Sequence, residues 1–166
     1  MKNYDFYESP QGPMLLVAEG EALCGVYFDG QKYLPVVEPE WRRDRRHATL
    51  VQAKRELAEY FGGERKRFQT PLAADGSPFQ KSVWSAISTV GFGETITYAE
   101  LARRAGSLGS ARAAGAATGR NPIGIIIPCH RIVGSDGSLT GYAGGLDRKR
   151  ALLALEAGSA DLLSAA

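Results

Sequence analysis

Two cysteines, two histidines and two tryptophans among 166 residues leave this chain little thiol or soft-ligand chemistry to distribute. Two cysteines cannot build a disulfide framework. With only Cys24, Cys129, His47 and His130 available, and no CxxC or HxxxH spacing among them, no metal site is expected. No apolar stretch approaches the roughly 20 residues that span a bilayer. The opening MKNYDFYESPQGP alternates polar and apolar residues where a signal peptide would run unbroken, so a cytoplasmic location without a membrane partner is expected. Charge of one sign is scarce too, at net +2. Residues 1–75 hold 11 basic and 12 acidic groups, residues 76–166 hold 9 and 6, so the C-terminal half is the better partner for a polyanion.

What is present is ordinary globular material, 44% hydrophobic and 23% charged, enough for one large domain or two small ones. Tyr4 to Glu8, Met14 to Glu19 and Ala22 to Phe28 read as short strands separated by turns. A helix is predicted from Thr49 to Phe61, closed by Gly62-Gly63. The cluster Arg42 to Arg46 before it reads as a solvated loop, with phosphate contact as the alternative. Thr70 to Gly76, rich in Pro, Ala and Gly, marks a linker, which divides the chain into 1–75 and 76–166.

Beyond the linker come short capped helices. Ser77-Pro78-Phe79-Gln80 supplies an N-cap, a proline at N1 and a Gln at N3 for a helix carrying Val83, Trp84 and Ile87. Thr97-Tyr98-Ala99-Glu100 repeats the capping box for a helix that stops at Gly106. A third runs from the cap Ser110 to Gly119, built almost wholly of Ala and Gly with Arg112 as its one long side chain. Joined through Gly-Ser-Leu-Gly-Ser, the second and third resemble a helix-turn-helix. A helix so poor in base-reading side chains suits close, sequence-independent approach to a minor groove, or packing in a core. Asp147 is expected to cap a last helix, through Arg148 to Glu156, ended by Gly158.

Ile125 to Val133, reading IIIPCHRIV, is expected to run an apolar strand from Ile125 to Ile127 into Cys129 and His130 at its end. A thiol near a base can ionise below its free pKa of about 8.5, and the thiolate is the nucleophile. The competing reading makes Cys129 a small core hydrophobe. Thr140 to Leu146 is glycine-rich, fit to approach a ligand, but lacks the Lys-Ser/Thr of a phosphate-binding loop.

PCHRIV, the upstream Arg-Asn-Pro-Ile, the downstream Gly-Tyr-Ala-Gly-Gly-Leu and the small-residue helix bearing Arg112 together resemble the O6-alkylguanine-DNA alkyltransferases, from about Phe79 to Gly158. The resemblance implies an α/β N-terminal domain, ribonuclease-H-like with an antiparallel sheet plus helix, and a mainly α C-terminal domain with a helix-turn-helix. It implies DNA repair by direct reversal: irreversible, single-turnover transfer of the alkyl group from O6-alkylguanine to Cys129, with acceptance of O4-alkylthymine left open by the sequence. The implied partner is double-stranded DNA carrying alkylated bases, met by a monomer or cooperatively, with no cofactor.

Residue by residue, the resemblance makes Cys129 the acceptor and His130 its base through a water, with Glu156 orienting His130 and Asn121 supporting the turn. Tyr98 assists the departing guanine and Arg112 fills the gap left by a flipped nucleotide. DNA contacts fall on Thr97, Ser110, Ala111, Arg112, Ala113, Gly115, Ala116 and Arg120. The pocket is lined by Tyr98, Ile132, Tyr142, Ala143 and Gly144, where some relatives carry Ser in place of Ala143.

Chemistry favours the same assignment, because attack on an sp3 carbon suits a soft thiolate and a guanine leaving group needs a donor such as a phenol. Two other readings stay open on the residues alone. One is a DNA-binding module without catalysis, which leaves Cys129 without purpose. The other is a cysteine hydrolase using Cys129, His130 and Glu156, which leaves the Ala-rich helix without one.

Overall fold

The computed structural model describes residues 1–106 and 110–158, which form two compact units. The first comprises Met1–Asp75 together with the tripeptide Pro122–Gly124. Its sheet runs in the order β3-β2-β1-β4, from β1 (Lys2–Ser9), β2 (Gly12–Glu19), β3 (Ala22–Phe28) and β4 (Arg42–Arg43). The three long strands form an antiparallel meander, in register from Ser9 opposite Gly12 to Lys2 opposite Glu19. The two-residue β4 pairs parallel to β1, so the sheet is mixed where an antiparallel one was expected. Central β2 is buried from Met14 to Ala18, and α1 (Ala48–Phe61) packs on the sheet through Leu50, Ala53 and Leu57.

Part of the arginine cluster is spoken for within this unit. Arg43 pairs with buried Asp5 at 3.0 Å and lies over the Phe6 ring, while Lys54 of α1 meets the other Asp5 oxygen. Arg42, Arg45 and Arg46 are exposed. The linker is held by Glu56, whose fully buried carboxylate accepts from the backbone N–H groups of Gln69 and Thr70 at 3.0 Å and from the Thr70 hydroxyl at 2.7 Å. Pro122–Gly124 joins the edge of β3: Val26 N–H donates to Pro122 and Gly124 N–H returns to Val26.

The second unit, Gly76–Asn121 with the chain from Ile125 onward, is mainly helical. It holds α2 (Pro78–Ile87), β5 (Ile96–Thr97), α3 (Tyr98–Arg104), α4 (Ala111–Gly119), a single 3-10 turn (Cys129–Arg131), β6 (Ile132–Val133) and α5 (Leu146–Glu156). The α2 capping box forms in full between Ser77 and Gln80. At α3 only half of it forms. Thr97 accepts from Glu100 N–H, but the Glu100 carboxylate turns to Arg103 and Arg104, where two guanidinium partners outbid one backbone amide. Residues 107–109 of the predicted turn between α3 and α4 lie outside the described residues. Among the described residues no helix is long and apolar enough to cross a membrane.

The backbone departs from the sequence expectation at two further places. Ile125 to Ile127 is not a strand but a buried turn, with Ile125 at φ 69° and Cys129 entering the 3-10 turn. A continuous apolar run reports burial and not backbone shape, so periodicity had no purchase on it. The last helix begins at Leu146, two residues early, with Gly145 at φ 94° in the cap position. Asp147 falls in the first turn and pairs with Arg150 instead of capping.

Candidate active site

Local backbone geometry sets the site. Asn121, buried, donates from Nδ2 to Ile127 O at 2.8 Å and so closes the turn that the left-handed Ile125 bends. A β-branched residue at positive φ costs of order 1–3 kcal/mol and persists only where its surroundings over-determine it. Cys129 N–H then bonds Ile127 O at 2.8 Å and Arg131 N–H bonds Pro128 O at 2.9 Å, winding Cys129, His130 and Arg131 into the 3-10 turn. Three residues per turn splay the Cys129 and His130 side chains in different directions. That holds the two apart as an extended chain would have done, through a different backbone.

Cys129 is buried, at 7% exposure. Burial pushes its thiol up, opposed by an Asn121 hydrogen bond, by the charge of Lys149 and by its own backbone N–H. The thiol therefore rests protonated, where the sequence had suggested a ready thiolate, and a base must remove the proton. His130 is wholly buried, with Nε2 at 2.6 Å from Glu156 Oε2. Glu156 is held down to about 2: burial raises it, but His130 and Arg131 outweigh that by hydrogen bonding and charge. An ionised carboxylate only accepts, so Nε2 carries the ring proton and Nδ1 keeps its lone pair. That Nδ1 is buried and makes no hydrogen bond among the described residues. Burial drives His130 down, the Glu156 contact raises it, and Arg131 and Lys149 lower it further.

Parallel pairing of β5 with β6, Ile96 beside Ile132 and Thr97 beside Val133, delivers Tyr98 to the same region as the first residue of α3. Its hydroxyl donates to Thr140 O at 3.1 Å, tying α3 to the glycine-rich segment. Burial raises the Tyr98 phenol, against a lowering from the Thr140 contact, and burial raises Tyr142 well above the ordinary tyrosine range. Both phenols lie close enough to Cys129 that an ionised sulfur raises them further. Ile132 is wholly buried, Gly144 is buried, and Tyr142 and Ala143 are half-buried.

The small-residue helix stands slightly apart from this network. Ser110 caps α4 by accepting from Ala113 N–H at 3.1 Å, and Trp84 Nε1 anchors it from α2 by donating to Ala117 O at 2.9 Å. Ala114, Ala117 and Thr118 face inward, while Arg112, Ala116 and Arg120 are exposed four residues apart along one face. Ala111 and Ala113 are half-buried. Gly115 faces inward to Tyr98: a Cβ there would sit 3.6 Å from the ring. Thr97 is half-buried as the α3 cap.

Two residues absent from the sequence assignment belong to the site. Lys149, wholly buried, donates from Nζ to Ile132 O at 2.6 Å, Thr140 O at 3.1 Å and Gly141 O at 3.2 Å, with its charge directed to Cys129. It shares one face of α5 with Leu152 and Glu156, the signal that could have found it. Arg131 grips Glu156 from Nε at 2.8 Å and Nη2 at 3.1 Å, and donates from Nη1 to Val90 O at 2.7 Å. A lone arginine inside the apolar run Ile125 to Val133 was its signal, since such a charge must find a partner.

Comparison with known proteins agrees across most of the chain. Residues 2–74 match the family model described as 6-O-methylguanine DNA methyltransferase, ribonuclease-like domain, and residues 78–158 match its DNA binding domain. The methylated-DNA–protein-cysteine methyltransferase of Methanosarcina acetivorans is 46% identical, over 92% of this chain and 97% of that protein. The protein of the same name from Haemophilus influenzae is 41% identical over 92% and 85%. The crystal structure of Mycobacterium tuberculosis OGT in complex with DNA superposes with a TM-score of 0.89 at 42% identity, over 97% of this chain and 98% of that one. With both of its units matched and a buried cysteine beside a histidine–carboxylate pair, this chain belongs to the 6-O-methylguanine DNA methyltransferase family, the methylated-DNA–protein-cysteine methyltransferases.

Proposed function

We propose that Cys129 takes the alkyl group of O6-alkylguanine from duplex DNA, once per molecule, after the damaged nucleotide is turned out through the minor groove. The observation that carries this reading is the buried array of Cys129, Asn121, His130 and Glu156, with an imidazole nitrogen left open as a base. A water between the Cys129 sulfur and His130 Nδ1 carries the thiol proton to the ring, and Glu156 stabilises the imidazolium. The thiolate attacks the alkyl carbon, the S–C bond forms as the C–O6 bond breaks, and the electron pair passes into the guanine. Tyr98 donates to the departing base, which leaves as neutral guanine once it takes up a proton.

Extrusion of the nucleotide costs a few kcal/mol, less for a badly paired base. Arg112, exposed on α4 among alanines, is suited to enter the vacated stack while the helix backbone lies close to the groove. The product is a thioether, which cellular thiols do not reverse, so each chain reacts once. Cys24, half-buried in β3 and pushed up by burial, is no competing acceptor.

Incubation with duplex DNA containing O6-methylguanine is expected to add one methyl to the peptide bearing Cys129, read by intact mass. Cys129→Ala abolishes the gain while duplex binding persists. An unchanged mass with tight binding would leave a DNA-binding module, and a released acyl product would leave a hydrolase.

A further inference from the structure

Arg131 is a buried charge that touches neither the thiol nor the alkyl group. Arg131 sits at 7% exposure between the 3-10 turn and α5, and spends all three of its guanidinium nitrogens on fixed acceptors. Nη1 is anchored on Val90 O, beyond α2, and the guanidinium carbon lies 5.8 Å from the centre of the Phe92 ring. The remaining two nitrogens form a fork on the Glu156 carboxylate. Glu156 Oε2 thus receives both Arg131 Nη2 and His130 Nε2, while Oε1 receives Arg131 Nε and a longer contact, 3.4 Å, from Gly93 N–H.

We propose that Arg131 is a positioning residue of the thiol-activating array: its fork fixes the plane of the Glu156 carboxylate against His130 Nε2 and shares that carboxylate's charge with the imidazole. The proposal rests on the reading of His130 as the base and adds the group that tunes it. A planar fork on a carboxylate sets orientation as well as charge, which a lysine cannot copy. Held in this way, Glu156 meets the ring nitrogen along one direction and keeps Nδ1 turned away from itself. The charge balance follows from the same contacts. Glu156 and Lys149 act on His130 from α5, Cys129 and Arg131 flank it on its own turn, and Tyr142 of the glycine-rich segment lies near Cys129 and Glu156. Arg131 opposes protonation of the ring where Glu156 favours it, so His130 releases its proton again once the guanine has departed.

The test uses the full-length protein and two variants, Arg131→Met and Arg131→Lys. With two histidines in the chain, the His130 ring resonance is followed directly by NMR against pH. Alkylation of Cys129 by iodoacetamide, which needs neither DNA nor lesion, is timed alongside methyl transfer from O6-methylguanine duplex. In Arg131→Met, His130 is expected to titrate at higher pH than in the parent, and methyl transfer at pH 7.5 to slow about tenfold or more. Arg131→Lys restores the charge without the fork, so the His130 midpoint returns toward the parent while transfer stays slower. A folded Arg131→Met with the parent's midpoint and rate overturns the proposal. If Arg131→Met does not fold, Arg131→Lys decides alone: Cys129 alkylation slower than the parent supports the clamp, and a parental rate overturns it. Absence of methyl transfer in the parent, with the His130 shift intact, would instead overturn the reading of the reaction and leave the clamp standing.

Discussion

A carboxylate on the last residue of a helix faces the negative end of the macrodipole, so Glu156 at the close of α5 is ionised against its own backbone. Its depression to about 2 is therefore the work of Arg131 and His130 and not of its location. The consequence for stability has a definite sign. Glu156 binds its proton less readily folded than unfolded, so its contribution is complete above the ordinary carboxylate range near 4.5 and is lost as pH falls toward 2. His130, buried and neutral, acts in the same direction: its contribution is complete above about 6.5 and declines as pH falls. Denaturant midpoints of the parent are expected to drop on acidification in two stages, and Glu156→Gln is expected to flatten the stage below pH 4.5. Near neutrality Glu156→Gln leaves Arg131 uncompensated and costs about 3–5 kcal/mol. An acid limb of equal slope in both proteins would show that Glu156 is not the group responsible. At this scale the Cys129-His130 pair stood out in the sequence as thiol beside imidazole, whereas Glu156 could equally have been a helix-surface acid and was singled out by the family resemblance; the structure brings it to 2.6 Å from His130. Arg131 and Lys149 were not legible, because their role lies in which carbonyls and carboxylate the fold brings to them, and sequence separation hides that.

At the scale of elements, caps and terminators carried most of the legible information. Ser77, Thr97 and Ser110 all cap the helices assigned to them, and α1 begins within one residue of its expected start. The failures share one physical cause, that local pattern competes with tertiary partners. The Ile125 to Ile127 run turned instead of extending because Asn121 holds Ile127 O, and Glu100 left its capping box for two arginines. For α4 the arrangement of small side chains makes a prediction that packing alone would not. Its inner face is fixed by Trp84 and its outer face offers Arg112, Ala116 and Arg120. Arg112→Ala is expected to slow repair in duplex about tenfold, yet leave reaction with a free alkylated guanine within about twofold, because only the duplex has a gap to fill. Equal losses on both substrates would remove the flipping role. Ala116→Glu, also exposed, is expected to weaken duplex binding with no change in melting temperature, since it sets a like charge against phosphate without touching the core.

For the molecule as a whole, the division near residue 75 was readable from linker composition, whereas the membership of Pro122–Gly124 in the first unit was not. Three residues that form backbone bridges to Val26 have no side-chain pattern to announce them. Charge is the whole-molecule property with the sharpest consequence. Of the nine basic residues after position 75, Arg131 and Lys149 are buried on internal acceptors, Arg103 and Arg104 share Glu100, and Arg150 pairs with Asp147. Lys81, Arg112 and Arg120, all exposed, and Arg148, half-buried, are the other four cations of the second unit, and they are the ones set against phosphate here. Each phosphate neutralised releases counterion and adds about −0.9 to the slope of log affinity against log salt, so four contacts at most give a slope near −2 to −4. Duplex affinity is accordingly expected to fall about 10- to 200-fold between 50 and 200 mM salt, measured by fluorescence anisotropy on an undamaged duplex. A slope of about −6 or steeper would require more phosphates than these four cations can meet. The additional cations would then come either from Arg103, Arg104 and Arg150, by exchange of their exposed partners for phosphate, or from Arg42, Arg45 and Arg46, and only in the second case would substituting those three by Gln return the slope to the shallower range.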